Sequence, residues 1–284
     1  MKHIISASIA LIVLLLLSTA DIALAGISPG SSTKISGTHG KECSSTNPQY
    51  MLNSGGATLR TYPKRTWFTV ESAPNGVWAD PYITAGINDS VSSEVCNSHA
   101  VPGTRTYYRS YALPIPYRRD GAPFVSIHTR TPAEFIGNAG LDIWLTRNPA
   151  NSSYRAIANQ GANTTEIMIW TQHPGLAPFS SNLRYYPYTI DGHRWAIAIG
   201  LAANGHGHDS EHPDGWNLVD FIAPPIRNGS VYARRIELNK FLAYAEKHRW
   251  LNPNDYLMSV NGGFEIAQNG ASAQLQGFNL WNLS

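Results

Sequence analysis

Apolar residues recur at every second position in a series of short runs, and Gly, Pro and Asn separate those runs. Thr66–Val70, Thr104–Tyr111, Leu141–Leu145, Glu166–Trp170, Arg194–Ile199, Trp216–Ile222 and Ala273–Trp281 each read as a strand. Many short strands at this spacing predict an all-β sandwich or barrel. One stretch breaks the period. Leu238, Phe241, Leu242 and Ala245 fall at helical spacing between Ile236 and Arg249, which predicts a single amphipathic helix on an antiparallel sandwich. Residues 26–56 are rich in Ser, Gly, Thr and Asn with weak periodicity, and read as a loop-rich opening. No Pro/Thr linker and no internal repeat interrupts the rest, so residues 26–284 are expected to form one domain.

Ahead of that domain, Lys2 precedes an apolar run centred on Ile12–Leu17, and Ala23-Leu24-Ala25 follows. The run is too short to span a bilayer with margin. It has the form of a secretory signal cleaved after Ala25, with an uncleaved anchor as the other reading. The protein is therefore expected outside the cell, with no membrane segment after cleavage.

Composition narrows the partners. Only 14% of the 284 residues are charged, and 21 Lys and Arg against 19 Asp and Glu leave a net charge of +2. Neither a disordered tail nor a nucleic-acid groove fits so few charges. Eight Trp and 14 Tyr supply flat rings for a dense core or for stacking on sugars. Cys43 and Cys96 are the two cysteines. In an oxidising compartment such a sole pair is expected to be bridged, the alternative being two buried thiols. No Cys-His spacing suggests zinc.

Three acids stand out once side chains are assigned to alternate faces of their strands. Ile167 and Ile169 point one way, and Glu166, Met168 and Trp170 the other. Leu141, Ile143 and Leu145 oppose Asp142 and Trp144; Phe264 and Ile266 oppose Gly263 and Glu265. Each strand thus has one face for a core between sheets and a second face carrying a carboxylate. In two of the three a bulky aromatic sits beside it. Aromatics stack on pyranose rings and paired carboxylates act on glycosidic bonds, so this face suits a sugar cleft. A solvated or locally bonded Glu is the ordinary alternative for any one of these positions.

The run Glu166-Ile167-Met168-Ile169-Trp170, preceded by Leu141-Asp142-Ile143-Trp144 and followed by Gly263-Phe264-Glu265, resembles glycoside hydrolase family 12. His193–Trp195, Trp216–Pro224, Asp255–Glu265 and Gln268–Gly270 agree with it in order, and the match covers Ile127–Ser284. The resemblance is to the bacterial branch. It implies a β-jelly roll of two antiparallel sheets, with a concave substrate cleft and one helix on the convex side. It also implies a secreted endo-β-1,4-glucanase or xyloglucanase that retains configuration, needs no metal or organic cofactor, and binds β-glucan as a monomer. Glu166 would be the nucleophile, Glu265 the general acid/base, and Asp142 the carboxylate that hydrogen-bonds the nucleophile. Trp144, Met168 and Trp170 would lie in the substrate cleft. A xyloglucan- or mixed-linkage-specific enzyme, or a non-catalytic glucan-binding jelly roll, are the alternatives.

Before Ile127 the resemblance thins. Asn75-Gly76-Val77-Trp78-Ala79 is the nearest string to the family's Asn-Asn-x-Trp-Gly run, which makes Trp78 either a sugar platform or a core residue. Cys43 and Cys96 lack the family's short bridge spacing. Two local features stand apart. Residues 204–215 hold His206, His208 and His212 among three acids, which is either a polar hairpin loop or a divalent-metal site. Sequons occur at Asn88, Asn151, Asn163, Asn228 and Asn282, and matter only in a eukaryotic secretory pathway.

Overall fold

A computed structural model describes residues 32–37, 41–43, 50–62, 64–74, 79–89, 107–109, 113, 115–117, 123–147, 164–176, 186–190, 192–201, 216–224 and 228–281. The chain opens with β1 (Thr33–Ser36), β2 (Lys41–Cys43), β3 (Met51–Asn53), β4 (Thr58–Tyr62) and β5 (Trp67–Ser72). Next come β6 (Tyr82–Asp89), β7 (Tyr107–Arg109), β8 (Ile115–Pro116), β9 (Phe124–Arg130) and β10 (Ile136–Thr146). They lead to β11 (Thr164–Gln172), β12 (Tyr186–Ile190), β13 (His193–Leu201), β14 (Asn217–Ile222) and β15 (Ser230–Glu237). Helix α1 (Leu238–Lys247), β16 (Tyr256–Gln268) and β17 (Gln274–Trp281) complete the described elements.

The strands form two stacked sheets. The smaller runs β1-β4-β5-β17-β9-β15; the larger runs β12-β13-β14-β11-β10-β16-β6-β3-β2, with β7 and β8 beside β6 and β16. One core lies between them. Phe68, Val70, Val125, Ile127, Leu275 and Phe278 from the smaller sheet meet Leu141, Ile143, Ile167, Ile169, Val260 and Phe264 from the larger. Each such side chain withdrawn from water contributes about 1.5–3 kcal/mol before conformational entropy is subtracted. The expected all-β sandwich with one helix is observed.

The α1 face predicted from spacing is the buried one: Leu238, Phe241, Leu242 and Ala245. Phe241 meets the rings of Trp195 and Phe221 edge-on at 5.1 Å each. Val219 and Phe221 of β14 belong to the core with Phe241. Strand alternation puts Leu218 and Asp220 on the opposite face. The helix thus braces the face of the larger sheet turned away from the carboxylates.

Two expectations need correction. Residues 26–56 contain three strands, and in β3 Met51, Leu52 and Asn53 are all buried. A three-residue strand is too short for period-two patterning to show, and β3 is held by pairing to β2 and β6 on either side. The larger sheet is also not purely antiparallel: β14 pairs with β11 in parallel, Thr165 to Trp170 against Asn217 to Ile222. The β12–β13 hairpin and β14 follow β11 in sequence, yet β14 inserts directly beside it. Of the Thr104–Tyr111 run, Tyr107–Arg109 is described and forms β7.

Several expectations fall outside the described residues: the segment 1–25, Trp78, Cys96 and the Cys43 side chain, and the histidines of 204–215. Among the sequons, Asn151, Asn163, Asn282 and the Asn88 side chain do so too, whereas Asn228 donates its amide to the Ala133 carbonyl.

Candidate active site

The three acids stand on three consecutive strands of the larger sheet: Glu166 on β11, Asp142 on β10 and Glu265 on β16. Backbone register places Trp144 opposite Glu166, Asp142 opposite Asn261, and Asn138 opposite Glu265. Register shifts at Ile136/Gly137, Ala139/Gly140 and Trp144/Leu145 interrupt the β10 ladders. Such irregularities bend a strand and raise its twist, and they fall on the strand between the two glutamates. Glycine makes the close packing possible beside Glu265. A Cβ on Gly263 would stand 2.3 Å from the Pro81 carbonyl oxygen, and one on Gly262 2.4 Å from the Phe278 ring.

Glu166, Asp142 and Glu265 line one cleft, together with Asp80, Tyr82, Asn138, Met168, Trp216, Leu218 and Asn261. Asn138 donates its side-chain amide to Glu265 Oε2. Trp216 donates its indole N–H to Glu166 Oε2. Asp142 Oδ2 accepts two bonds, from Trp144 Nε1 at 2.9 Å and Asn261 Nδ2 at 3.0 Å. Thr84 in turn donates its hydroxyl to Asn261 Oδ1, fixing which way that amide faces. Asp142 Oδ1 is buried and takes no bond from an N–H or O–H of the described residues, while its carboxyl meets that of Glu166. Two carboxyls in contact are stabilised when they share one proton.

No lysine, arginine or histidine lines the cleft among the described residues. Electrostatics there are set by burial and like charge. Burial raises Glu265 to about 7 and the Asp142 charge adds to the rise, against the lowering effect of Asn138. Burial raises Asp142 to about 6, opposed by Asn261, Trp144 and Glu166. Glu166 is pushed well above the carboxylate range by burial and by the Asp142 charge, against the Trp216 hydrogen bond. Asp142 and Glu166 therefore titrate as a pair, which keeps one proton where isolated carboxylates have lost theirs.

These rises have a consequence for stability. Between about 4.5 and about 7 the folded Glu265 holds a proton that the unfolded chain has released. The native state then binds more protons, so stability falls as pH rises through that window, and the raised Asp142, Glu166, Asp80 and Asp220 carboxyls add to the fall. Thermal unfolding across pH 4–8 is expected to show that decline. Glu265→Gln, which cannot ionise, is expected to lessen the decline and to be the more stable protein above pH 7, by about 1–3 kcal/mol. A wild-type protein whose stability instead climbs across the window would contradict the burial argument.

The aromatic expectations divide. Met168 lines the cleft at 7% exposure, but Trp144 and Trp170 are 2% and 1% exposed and do not. Trp144 packs on Met258 and Trp216, and Trp170 on Met168, Ala198, Leu218 and Ile222. Alternation placed both rings on the acid-bearing side, yet neighbouring side chains cover them, so neither offers a face to a sugar. Trp144 instead holds Asp142. Asn138, Asn261 and Trp216 join the site as donors, a role the sequence pattern alone does not assign them. Asn261 shares its strand face with Gly263 and Glu265, so the period-two pattern could have found it.

The model of one family, described as glycosyl hydrolase family 12, matches residues 125–284, more than half of the chain. The chain belongs to glycosyl hydrolase family 12. It is a glycoside hydrolase, and the matched region contains all three acids. Family 12 structures share its fold along most of its length. The endoglucanase Cel12A from Rhodothermus marinus aligns with a TM-score of 0.62 and 18% identity, over 87% of this chain and 97% of that one. The endo-1,4-β-glucanase CelB2 aligns with a TM-score of 0.61 and 24% identity, over 88% and 99%. A family 12 xyloglucanase from Bacillus licheniformis gives 0.60 and 20%, over 88% and 98%. No curated protein matches the sequence. The family 12 sandwich thus extends into the region before residue 125, where the sequence motifs thin out.

Proposed function

We propose that this family 12 hydrolase is a secreted endo-β-1,4-glucanase that cleaves internal bonds of β-glucans with retention of configuration. The observation that carries the reading is the placement of Glu166, Asp142 and Glu265 on adjacent strands of one concave face, all lining one cleft. Glu265 keeps its proton to about pH 7 and so can protonate the departing glycosidic oxygen. Glu166 attacks the anomeric carbon once the proton of the pair has passed to Asp142. In the second step Glu265, now ionised, draws a proton from water as that water displaces Glu166. A pure binding cleft needs neither a buried acid pair nor a protonated third acid, since both raise the cost of the fold without adding contacts to a neutral sugar. Export rests on the sequence of residues 1–25.

The test is hydrolysis of carboxymethylcellulose, barley β-glucan, xyloglucan and xylan, with product lengths and anomeric configuration followed in time. A rapid fall in polymer length with the β-anomer formed first is expected. The glucan cleaved fastest names the substrate, and fastest cleavage of xyloglucan selects the xyloglucanase reading. Release of α-anomer, or no hydrolysis of any glucan, would overturn the proposal.

A further inference from the structure

Among the described residues, the donors to the acid pair, apart from the carboxyls themselves, are indoles and an amide, and they are unevenly divided. Asp142 Oδ2 takes two, from Trp144 and Asn261. Glu166 Oε2 takes one, from Trp216. An indole N–H can only donate, so it always favours a charged acceptor. Two donors on Asp142 pull the pair's negative charge toward Asp142. Attack on a sugar needs that charge on Glu166.

Trp216 is well placed to oppose the pull. It sits one residue before β14, whose parallel pairing with β11 sets Thr165 opposite Asn217 and Glu166 opposite Leu218. Its ring contacts Trp144 with centroids 5.3 Å apart and also packs on the apolar cluster around Met168. It is wedged between the ring that holds Asp142 and the strand that carries Glu166.

We propose that Trp216 is a positioning residue for the reaction: its Nε1–H fixes Glu166 by Oε2 and draws the negative charge of the Asp142–Glu166 pair toward the nucleophile. The proposal rests on the role given to Glu166 above. When Glu166 becomes an ester its oxygen loses charge and the bond weakens; when the sugar leaves, the bond strengthens again. The Trp216 N–H therefore favours both the attacking and the departing carboxylate. Among the described residues, the charged groups facing Glu166 are Asp142 on β10, Glu265 on β16 and Asp220 on β14, all of the same sign, so none of them substitutes for the indole.

Trp216→Phe keeps a ring against Trp144 and deletes the donor. Its kcat/KM is expected to fall about tenfold below neutral pH, with the acid limb of the profile moved up by about one pH unit and KM little changed. Loss of a donor to the ionised form raises the pH at which that form appears, which gives the sign. Trp216→His, which retains a ring N–H, is expected to recover part of the shift. In 15N-labelled wild-type protein, the indole resonance that Trp216→Phe removes is expected to titrate with the acid limb and to stop titrating in Glu166→Gln. An acid limb left in place by Trp216→Phe, a rise in KM alone, or an indole resonance indifferent to Glu166→Gln would each overturn the proposal. A wild-type protein without glucanase activity would refute the functional reading instead, and the indole titration would still decide the hydrogen bond.

Discussion

Glu166→Gln is expected to lower kcat/KM by at least about four orders of magnitude on every glucan and equally on aryl glycosides with activated leaving groups. The amide is close in shape to the carboxyl and still meets the Trp216 N–H, now through its carbonyl oxygen. Fold and binding are therefore retained while the attacking charge is lost. A good leaving group does not help, because no covalent intermediate can form. The smaller Glu166→Gly leaves room for azide, which would attack from the nucleophile's side and give a product of inverted configuration. If Glu166 only braces the cleft, the loss should be roughly tenfold through geometry. Steady-state kinetics on one polymer and one aryl cellobioside separate the two.

Glu265→Ala is expected to show the opposite dependence on the leaving group. On polymeric glucan, whose leaving alkoxide needs a proton, activity should fall by about 10²–10⁴-fold. On an aryl cellobioside with an acidic phenol the first step should survive, because little protonation is required. Deglycosylation would still lack its base, so a covalent sugar on Glu166 should accumulate, visible in the mass of the intact protein. Azide should restore turnover with retained configuration, since it attacks an intermediate already formed. The Asn138 amide, which faces the Glu265 carboxyl, is then left without its acceptor. Retained product from Glu166 variants and inverted product from Glu265 variants would mean that the two roles are exchanged.

Both predictions began with alternation along single strands, and that part of the molecule was readable in the chain. The buried faces Leu141-Ile143-Leu145, Ile167-Ile169 and Phe264-Ile266 are in the core, as their period requires. The acids opposite them line the cleft, and α1 buries the four residues its spacing named. The family motifs added the order of the acids, and the family match spans the region that carries them.

Alternation tells which side of a strand a residue faces; it says nothing of what lies over that side. Trp144 and Trp170 show the difference. Both are on the acid-bearing face, and both are shut away: Trp170 by Leu218 and Ile222 of β14 beside it, Trp144 by Met258 of β16 and by Trp216. β3 likewise has too few residues to signal itself, and its burial comes from β2 and β6 on its two sides. Trp216 and Glu166 are separated by 50 positions, and their bond exists only through a parallel pairing that no local period encodes. Local periodicity, set by backbone geometry, fixed the faces of the strands and the candidate acids. The donors that hold each carboxyl, the meeting of Asp142 with Glu166 and the covering of the tryptophans came from long-range pairing. A strand's neighbours are chosen by burial summed over the whole sheet, not by its own residues.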